Sequence, residues 1–409
     1  MDITYAFRSG EVLRSVQQRG YTRNSLIDAT GFEQRSAEEA WFLAQNLGRS
    51  IKVETPPQGT LSVVDLFSGS GGFSVGIRLA AEALGFNVRT NLAVDLDPEA
   101  LDVYRRNHQP RRTYQGSVRD LFVAEPLLTA EDKQSLDQTA VMDPAQSWLA
   151  TLGAADVVVG GPPCQGHSNL NNVSRRNDER NQLYFWMALA AKAFNAKAVI
   201  IENVASVKAD AGDVVGLTTT SLGKMGYTVL LDKILDASQL GVAQTRKRHF
   251  LIAVRNDVLA PDAAMTMAWL ATAQMPTLSV LDVIADLQDL NAVDPFNRVS
   301  ELSEENRARI DHLFDNDAYN LPNHVRPKSH RNGNTYPSVY GRMYPNKPAG
   351  TLSTGFLTPG RGRYIHPTRR RTLTLHEGAR VQGYPDTFAF EPLSGKVPSR
   401  TAIARMIWD

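Results

Sequence analysis

Cys164, the only cysteine in a chain of 409 residues, is the side chain with the clearest capacity for chemistry. It stands in Gly160-Gly161-Pro162-Pro163-Cys164-Gln165-Gly166-His167-Ser168, straight after the β-branched run Val157, Val158, Val159. A lone cysteine is ordinarily an inert small hydrophobe. Here two prolines fix φ on the approach and polar residues come after, neither of which core packing needs, so the thiol is aimed rather than buried. Its chemistry would be nucleophilic attack. The thiolate does that work, and at an unperturbed pKa of about 8.5 only about 3% of a thiol is ionised at neutral pH, so cationic neighbours or a helix terminus should lower the value. Glu202, which comes directly after the apolar residues 198–201, is the candidate carboxylate for proton handling.

A second constellation suits a nucleoside. Asp65-Leu66-Phe67-Ser68-Gly69-Ser70-Gly71-Gly72-Phe73 stands at the end of an apolar run, and its glycines allow a tight turn and close approach of a ligand to backbone. A dinucleotide fingerprint would need glycines at 69, 71 and 74, but residue 74 is Ser; a Walker motif would need a Gly-Lys pair that is absent. Asp95-Leu96-Asp97 ends the next apolar run, the usual place for a carboxylate that takes a ribose hydroxyl pair. A nucleoside without a pyrophosphate fits this pattern, and S-adenosylmethionine is such a ligand.

The elements that must position these residues alternate. The pattern predicts strands at 61–67, 88–95, 156–159, 198–201, 228–235 and 249–254, and helices at 73–84, 98–107, 182–194 and 215–225, with a polar, helical-looking insert at 121–152. That alternation predicts an α/β fold with a doubly wound, mostly parallel sheet whose ligands sit beyond the carboxyl ends of the strands. From 255 to 370 the rhythm gives way to Gly, Pro, aromatic and Arg residues. Residues 1–60 predict a small helical extension, in which Ser36 and Glu39 form a capping box ahead of Trp41, Phe42 and Leu47.

Composition bounds the remaining choices. One cysteine excludes disulfides and a thiolate-rich zinc site, and no metal is expected. No apolar run spans a bilayer and no leader pattern opens the chain, which predicts a soluble, cytoplasmic protein. The net charge of +1 says little about nucleic acid as a total. Its distribution says more: Arg105, Arg106, Arg111 and Arg112; Arg175, Arg176 and Arg180; Arg246, Lys247 and Arg248; and Arg361, Arg363, Arg369, Arg370 and Arg371 form clusters that a phosphate-contacting cleft would need.

Taken in order along residues 61–409, these motifs resemble those of the cytosine-5 DNA methyltransferases. Residues 65–73 resemble the family's first motif, Val94 to Asp97 its second, Gly161 to Gln165 the catalytic loop, Glu202-Asn203-Val204 its Glu-Asn-Val and Gln244 to Arg248 its Gln-x-Arg-x-Arg. Arg371-Thr372-Leu373-Thr374 through Glu377, Ala379, Arg380, Gln382 and Pro385 resembles a late structural motif. The resemblance implies transfer of a methyl group from S-adenosylmethionine to C5 of a cytosine flipped out of duplex DNA, through a covalent adduct between Cys164 and C6. It implies catalytic roles for Cys164, Glu202, Arg246 and Arg248. Cofactor contacts fall on Asp65, Phe67, Ser70, Gly71, Gly72, Asp95, Leu96, Asp97, Ser117, Val118 and Pro163, and DNA contacts on Gln165, Ser168, Gln244, Arg342, Arg361 and Arg363. The expected division is a helical extension at 1–60, a catalytic domain at 61–255, a target-recognition region at 256–370, and a return to the catalytic domain at 371–409. A monomer on DNA is expected, acting in bacterial restriction-modification or as a solitary methylase.

Three features depart from the family pattern. Ser117 comes after Gly116 where the family usually carries Asp; the chain ends at Ile407-Trp408-Asp409, where the last motif should be starting; and residues 1–60 lie outside the resemblance. The second departure leads to the expectation that a partner chain supplies the last motif or that cofactor is held weakly. For residues 1–60 a helix-turn-helix DNA contact is the alternative, and two rival readings of the whole remain: a tRNA cytosine-5 methyltransferase, and a non-catalytic DNA-binding or assembly subunit.

Overall fold

The structure, a computed structural model, describes residues 2–18, 21–123, 141–142, 144–163, 183–210, 212–263, 268, 275–289, 294–331 and 338–408. The first segment corrects the helical expectation. Strands β1 (Asp2–Arg8), β2 (Glu11–Gln18), β3 (Tyr21–Asp28) and β4 (Ile51–Val53) form an antiparallel sheet in sequence order, with one helix, α1 (Ala37–Asn46), against it. The signals were present in the chain. Ile3, Tyr5 and Phe7 recur at the strand period, and Arg8 pairs with Glu11 across Ser9 and Gly10, whose φ values of 52° and 80° are the two positive angles of a tight hairpin turn. The predicted capping box is present: Ser36 Oγ accepts from Glu39 N at 3.2 Å and the Glu39 carboxylate accepts from Ser36 N at 3.1 Å. Trp41 is fully buried by Val12, Ile27 and Ala40, so the segment has its own small core.

This module is also fastened to the remainder of the chain. Arg23, buried in β3, donates from Nε and Nη2 to the carbonyl of Glu82 at 3.2 and 2.9 Å. It thereby satisfies the last turn of the helix behind the first glycine loop, where cations are favoured.

The main sheet is that predicted by the alternation. Strands β5 (Gly59–Leu66), β6 (Phe86–Asp95) and β7 (Thr113–Gln115) alternate with α2 (Gly72–Leu84) and α3 (Pro98–His108). After the short hairpin β8 (Phe122–Val123) and β9 (Val141–Met142) come β10 (Val157–Gly160), α4 (Leu183–Ala193), β11 (Ala198–Val204), α5 (Val214–Lys224), β12 (Tyr227–Asp236), β13 (Gln244–Thr245) and β14 (Lys247–Arg255). The order across the seven-stranded sheet is β12-β14-β11-β10-β5-β6-β7, with β14 antiparallel to both neighbours and every other pair parallel. Val63, Val64, Leu66, Leu92, Ala93, Val94, Val158 and Val159 are fully buried, as strands covered on both faces require. The insert at 121–152 is a hairpin and a 3₁₀ segment at Pro144–Leu152 in its described parts.

A second core joins α6 (Val280–Ile284) to Met343, Leu352, Phe356 and Tyr364 and to two late helices, α8 (Leu375–Gln382) and α9 (Arg400–Trp408). Helix α7 (Glu304–Asp315) and the two-residue strand β15 (Ala349–Gly350) complete this part. The late segment lies against α3, where Asn107 and the backbone of Ala389 exchange hydrogen bonds of 2.8 and 2.9 Å.

Candidate active site

The ends of β5 and β6 build one half of the site. Phe67 leaves β5 with φ of 57°, a backbone strain for an aromatic residue that turns its ring out of the strand. Gly69 and Gly71 carry φ of 51° and 102°, and a Cβ at Gly71 would fall 2.4 Å from His108 Nε2. Asp95 holds the loop: one carboxylate oxygen accepts from Gly69 N and the other from Asp97 N, each at 2.8 Å. A carboxylate accepts about four hydrogen bonds, so Asp95 keeps capacity for a diol. Asp97 caps α3 through Glu99 N at 2.9 Å and pairs with Arg405.

The other half comes from β10, β11 and β14. Glu202, near the end of β11, has Oε1 2.8 Å from Arg248 Nε; its side chain is 24% exposed, into the cavity. Burial pushes the Glu202 carboxyl up, and Arg248 and then Arg246 pull it part of the way back. Asn203, 3% exposed on the opposite face of the strand, donates from Nδ2 to the carbonyl of Pro162 at 3.2 Å. A Cβ on Gly161 would reach 3.2 Å from Glu202 Oε2, so the glycine lets the segment pass close to the carboxylate.

Both halves open on one cavity of about 390 Å³. Of the expected cofactor residues, Phe67, Asp95, Leu96, Asp97, Ser117, Val118 and Pro163 line it, together with the expected catalytic residues Glu202, Arg246 and Arg248. Asp65, Ser70, Gly71 and Gly72 do not. Asp65 is 1% exposed behind the loop, accepting from Ser74 Oγ at 2.6 Å and Tyr104 OH at 3.2 Å; Ser74 is the residue that broke the dinucleotide pattern. Ser70 Oγ donates to the carbonyl of Met406 at 3.2 Å, and a Cβ on Gly72 would meet Tyr384 OH at 2.5 Å. These four support the cradle from behind. Cys164, Gln165 and Ser168 lie outside the described residues.

The remaining DNA candidates divide sharply. Gln244 is fully buried, donating to Gln382 Oε1 at 2.7 Å and accepting from Leu352 N at 3.1 Å, so its amide ties β13 into the second core. Arg342 lies over Phe314 at 4.1 Å and donates to the carbonyl of Pro367 at 2.8 Å. Arg363 donates to the carbonyls of Tyr319 and Arg342 at 2.7 and 2.8 Å. Both guanidinium groups are engaged by other parts of the chain. Arg361 is exposed. Arg175, Arg176 and Arg180 lie outside the described residues; in the other clusters Arg369 pairs with Asp289, Arg370 with Asp311 and Asp315, Arg371 with Glu377, and Arg105 with Asp102.

Sequence reasoning missed Asn203 as a site residue, although it stands inside the quoted Glu-Asn-Val. It also missed Trp408, which lines the cavity and whose carbonyl accepts from Arg246 Nη2 at 3.2 Å. No local signal marks Trp408.

A doubly wound sheet with a glycine loop, an acidic second strand end and a shared cavity defines a nucleoside-cofactor transferase fold. Residues 61–402 match the model of the C-5 cytosine-specific DNA methylases, and the chain belongs to that family. It is similar to the type II methyltransferase M1.BsuMI of Bacillus subtilis (strain 168), at 37% identity over 87% of this chain and 79% of that one. The type II methyltransferase M.DdeI of Desulfomicrobium norvegicum is 27% identical over 81% of this chain and 80% of its own length. In fold, the S. pombe Dnmt2 methyltransferase covers 85% of this chain and 93% of its own with a TM-score of 0.52, at 16% identity. Family membership makes the chain a DNA cytosine-5 methyltransferase and implies DNA as substrate and S-adenosylmethionine as cofactor. Among the described residues no helix is long and apolar enough to cross a membrane.

The residues present fit that cofactor. Phe67 and Leu96, the latter 71% exposed, offer apolar surface for a base, Asp95 a carboxylate for ribose hydroxyls, and Ser117 a hydroxyl at the cavity wall. Beside them, the buried Ser68 Oγ has no hydrogen-bond partner among the described residues, a polar atom left in the same loop.

Proposed function

We propose that this chain methylates C5 of a cytosine rotated out of duplex DNA, with Cys164 forming a covalent bond to C6. The observation that carries this reading is the shared cavity: Glu202 and Arg248, 2.8 Å apart, open onto the same space as Asp95 and Phe67. The target atoms are inaccessible inside a duplex, so the base must leave the stack, at a cost of about a few kcal/mol. Glu202 then holds N3 and the exocyclic amine. A carboxyl raised by burial is suited to carry the proton that N3 takes as the Cys164 thiolate adds to C6. C5, made enamine-like by that addition, becomes the nucleophile. Arg248 orients Glu202, and Arg246 adds positive charge beside it. S-adenosylmethionine, which Asp95, Phe67, Leu96 and Ser117 would hold, would supply the electrophilic methyl group to C5 and leave as S-adenosylhomocysteine. Loss of the C5 proton and elimination of the thiolate return the aromatic ring and the free Cys164.

The type II names of M1.BsuMI and M.DdeI support a restriction-modification setting. The deciding experiment is methyl transfer from labelled S-adenosylmethionine to duplex DNA and to tRNA, with sequencing of modified cytosines. Label at C5 of duplex cytosine is expected; label confined to tRNA, or none, overturns the reading.

A further inference from the structure

A buried polar chain that no proposed step uses lies behind the Glu202–Arg248 pair. His249 is next to Arg248 on β14, so its side chain points to the opposite face of the sheet, where it is fully buried. Its Nε2 is 2.6 Å from Asp232 Oδ1 on β12, and Lys208, in the turn just after β11, places Nζ 2.7 and 3.0 Å from the two Asp232 oxygens. Nδ1 is 3.4 Å from the hydroxyl of Tyr184, the second residue of α4, which is 1% exposed. Burial pushes His249 down and Tyr184 up, so the imidazole is neutral and the phenol protonated near neutral pH. One arrangement satisfies every atom: Tyr184 OH donates to Nδ1, and Nε2–H donates to Asp232.

The chain touches each element that carries the site. His249 pairs across β11 and β14 with Asn203, and Arg248 pairs with Val204, two residues beyond Glu202 on the same face. Leu183, beside Tyr184 in α4, lines the cavity. An apolar residue would fill the place of His249 without the cost of burying polar atoms. What a polar residue adds is register: the His249–Asp232 bond forms in one alignment of β14 with β12, and it anchors β14, whose separate pairing with β11 sets Arg248 against Glu202.

We propose that Tyr184, His249, Asp232 and Lys208 form a positioning chain that fixes Arg248 and Asn203 for the reaction. The proposal rests on the reading of Glu202 and Arg248 as the base-holding pair. Its test is His249→Phe in the full chain, with His249→Gln as the conservative variant and Asp232→Asn at the wetter end. His249→Phe is expected to melt lower, because it leaves the buried Tyr184 hydroxyl without its partner, but to bind S-adenosylmethionine equally once folded, while kcat on duplex DNA falls about ten- to a hundredfold with KM little changed, as a misplaced catalytic pair predicts. His249→Gln should recover part of kcat. Asp232→Asn should lower kcat by about three- to tenfold, and adding it to His249→Phe should cost nothing further, because both act on one chain. Unchanged kcat in a folded His249→Phe overturns the proposal; if that variant fails to fold, unchanged kcat in Asp232→Asn does so. Full turnover by Glu202→Gln would instead sink the reading of the site itself.

Discussion

Asn203 Nδ2 donates to the carbonyl of Pro162 at 3.2 Å, so the strand that carries Glu202 also holds the segment leading to Cys164. The two halves of the proposed chemistry, nucleophile and proton handling, are thereby referred to one strand end. Asn203 is 3% exposed and its Oδ1 accepts from Val204 N at 2.8 Å, so the amide cannot rotate away without losing both bonds. Asn203→Ala is expected to lower kcat about ten- to a hundredfold while DNA affinity changes little. Steady-state kinetics on duplex DNA check it; a drop confined to KM would show that Asn203 serves binding alone.

Glu202→Gln keeps the size and one hydrogen-bonding arm but cannot carry a proton to N3. Turnover should fall by about 10² or more, with duplex binding nearly intact. Duplex DNA with 5-fluorocytosine at the target should trap a covalent complex with the parent, since fluorine cannot leave as a proton does, and Cys164→Ala should form none. Full methylation by Cys164→Ala would end the covalent mechanism.

Much of this site was legible because its motifs sit where strands end. The expected strands and helices from 61 to 254 emerge with no boundary shifted by more than three residues, the edge strand β7 being missed, and Asp95, Glu202 and Arg248 arrive at a common cavity. Residue type alone did not show which side of a loop a residue faces. Asp65 and Ser70 belong to the glycine motif yet point into the protein, because Ser74 and the Met406 carbonyl claim them. The N-terminal sheet was misread because a capping box and Trp41 outweighed the period-two pattern of β1. Ion pairs of the clustered arginines were legible only where the partner is local, as Asp102 is for Arg105; Asp289, the partner of Arg369, lies 80 residues away in the chain.

The cofactor reading makes an ordering prediction. Asp95→Ala should remove both the diol acceptor and the bond that holds Gly69, raising the S-adenosylmethionine dissociation constant about tenfold or more. Ser117→Ala should matter less, because a hydroxyl gives a single neutral hydrogen bond and Ser117 Oγ already accepts from Arg119 N at 3.2 Å. Titration calorimetry decides; the reverse order would mean that Asp95 is not the ribose carboxylate.

Asp65 predicts a pH signature. Burial raises its pKa to about 7, against hydrogen bonds from Ser74 and Tyr104. A carboxyl whose folded pKa lies above its unfolded value binds more protons when folded. Its effect on stability is therefore absent below about pH 4 and grows more destabilising as pH rises toward 7, on the order of 4 kcal/mol when complete. Asp65→Asn stays neutral throughout. The variant should gain stability relative to the parent at pH 8 and gain little at pH 5, measured by denaturant melts at both. An equal difference at the two pH values would show that Asp65 titrates normally.

Salt dependence separates arginines that hold the fold from those that can meet phosphate. Arg342 is stacked on Phe314 and bonded to Pro367, so Arg342→Ala should cost about 1–3 kcal/mol of stability. In the folded fraction it should leave the dependence of DNA affinity on salt unchanged. Arg361 is exposed, and no ion pair joins it among the described residues. If it contacts a phosphate, Arg361→Ala should leave the melting temperature unchanged and reduce the slope of log affinity against log salt by about one. Binding isotherms at several salt concentrations read both variants together. A lower slope for Arg342→Ala and none for Arg361→Ala would reverse the assignment of these two residues.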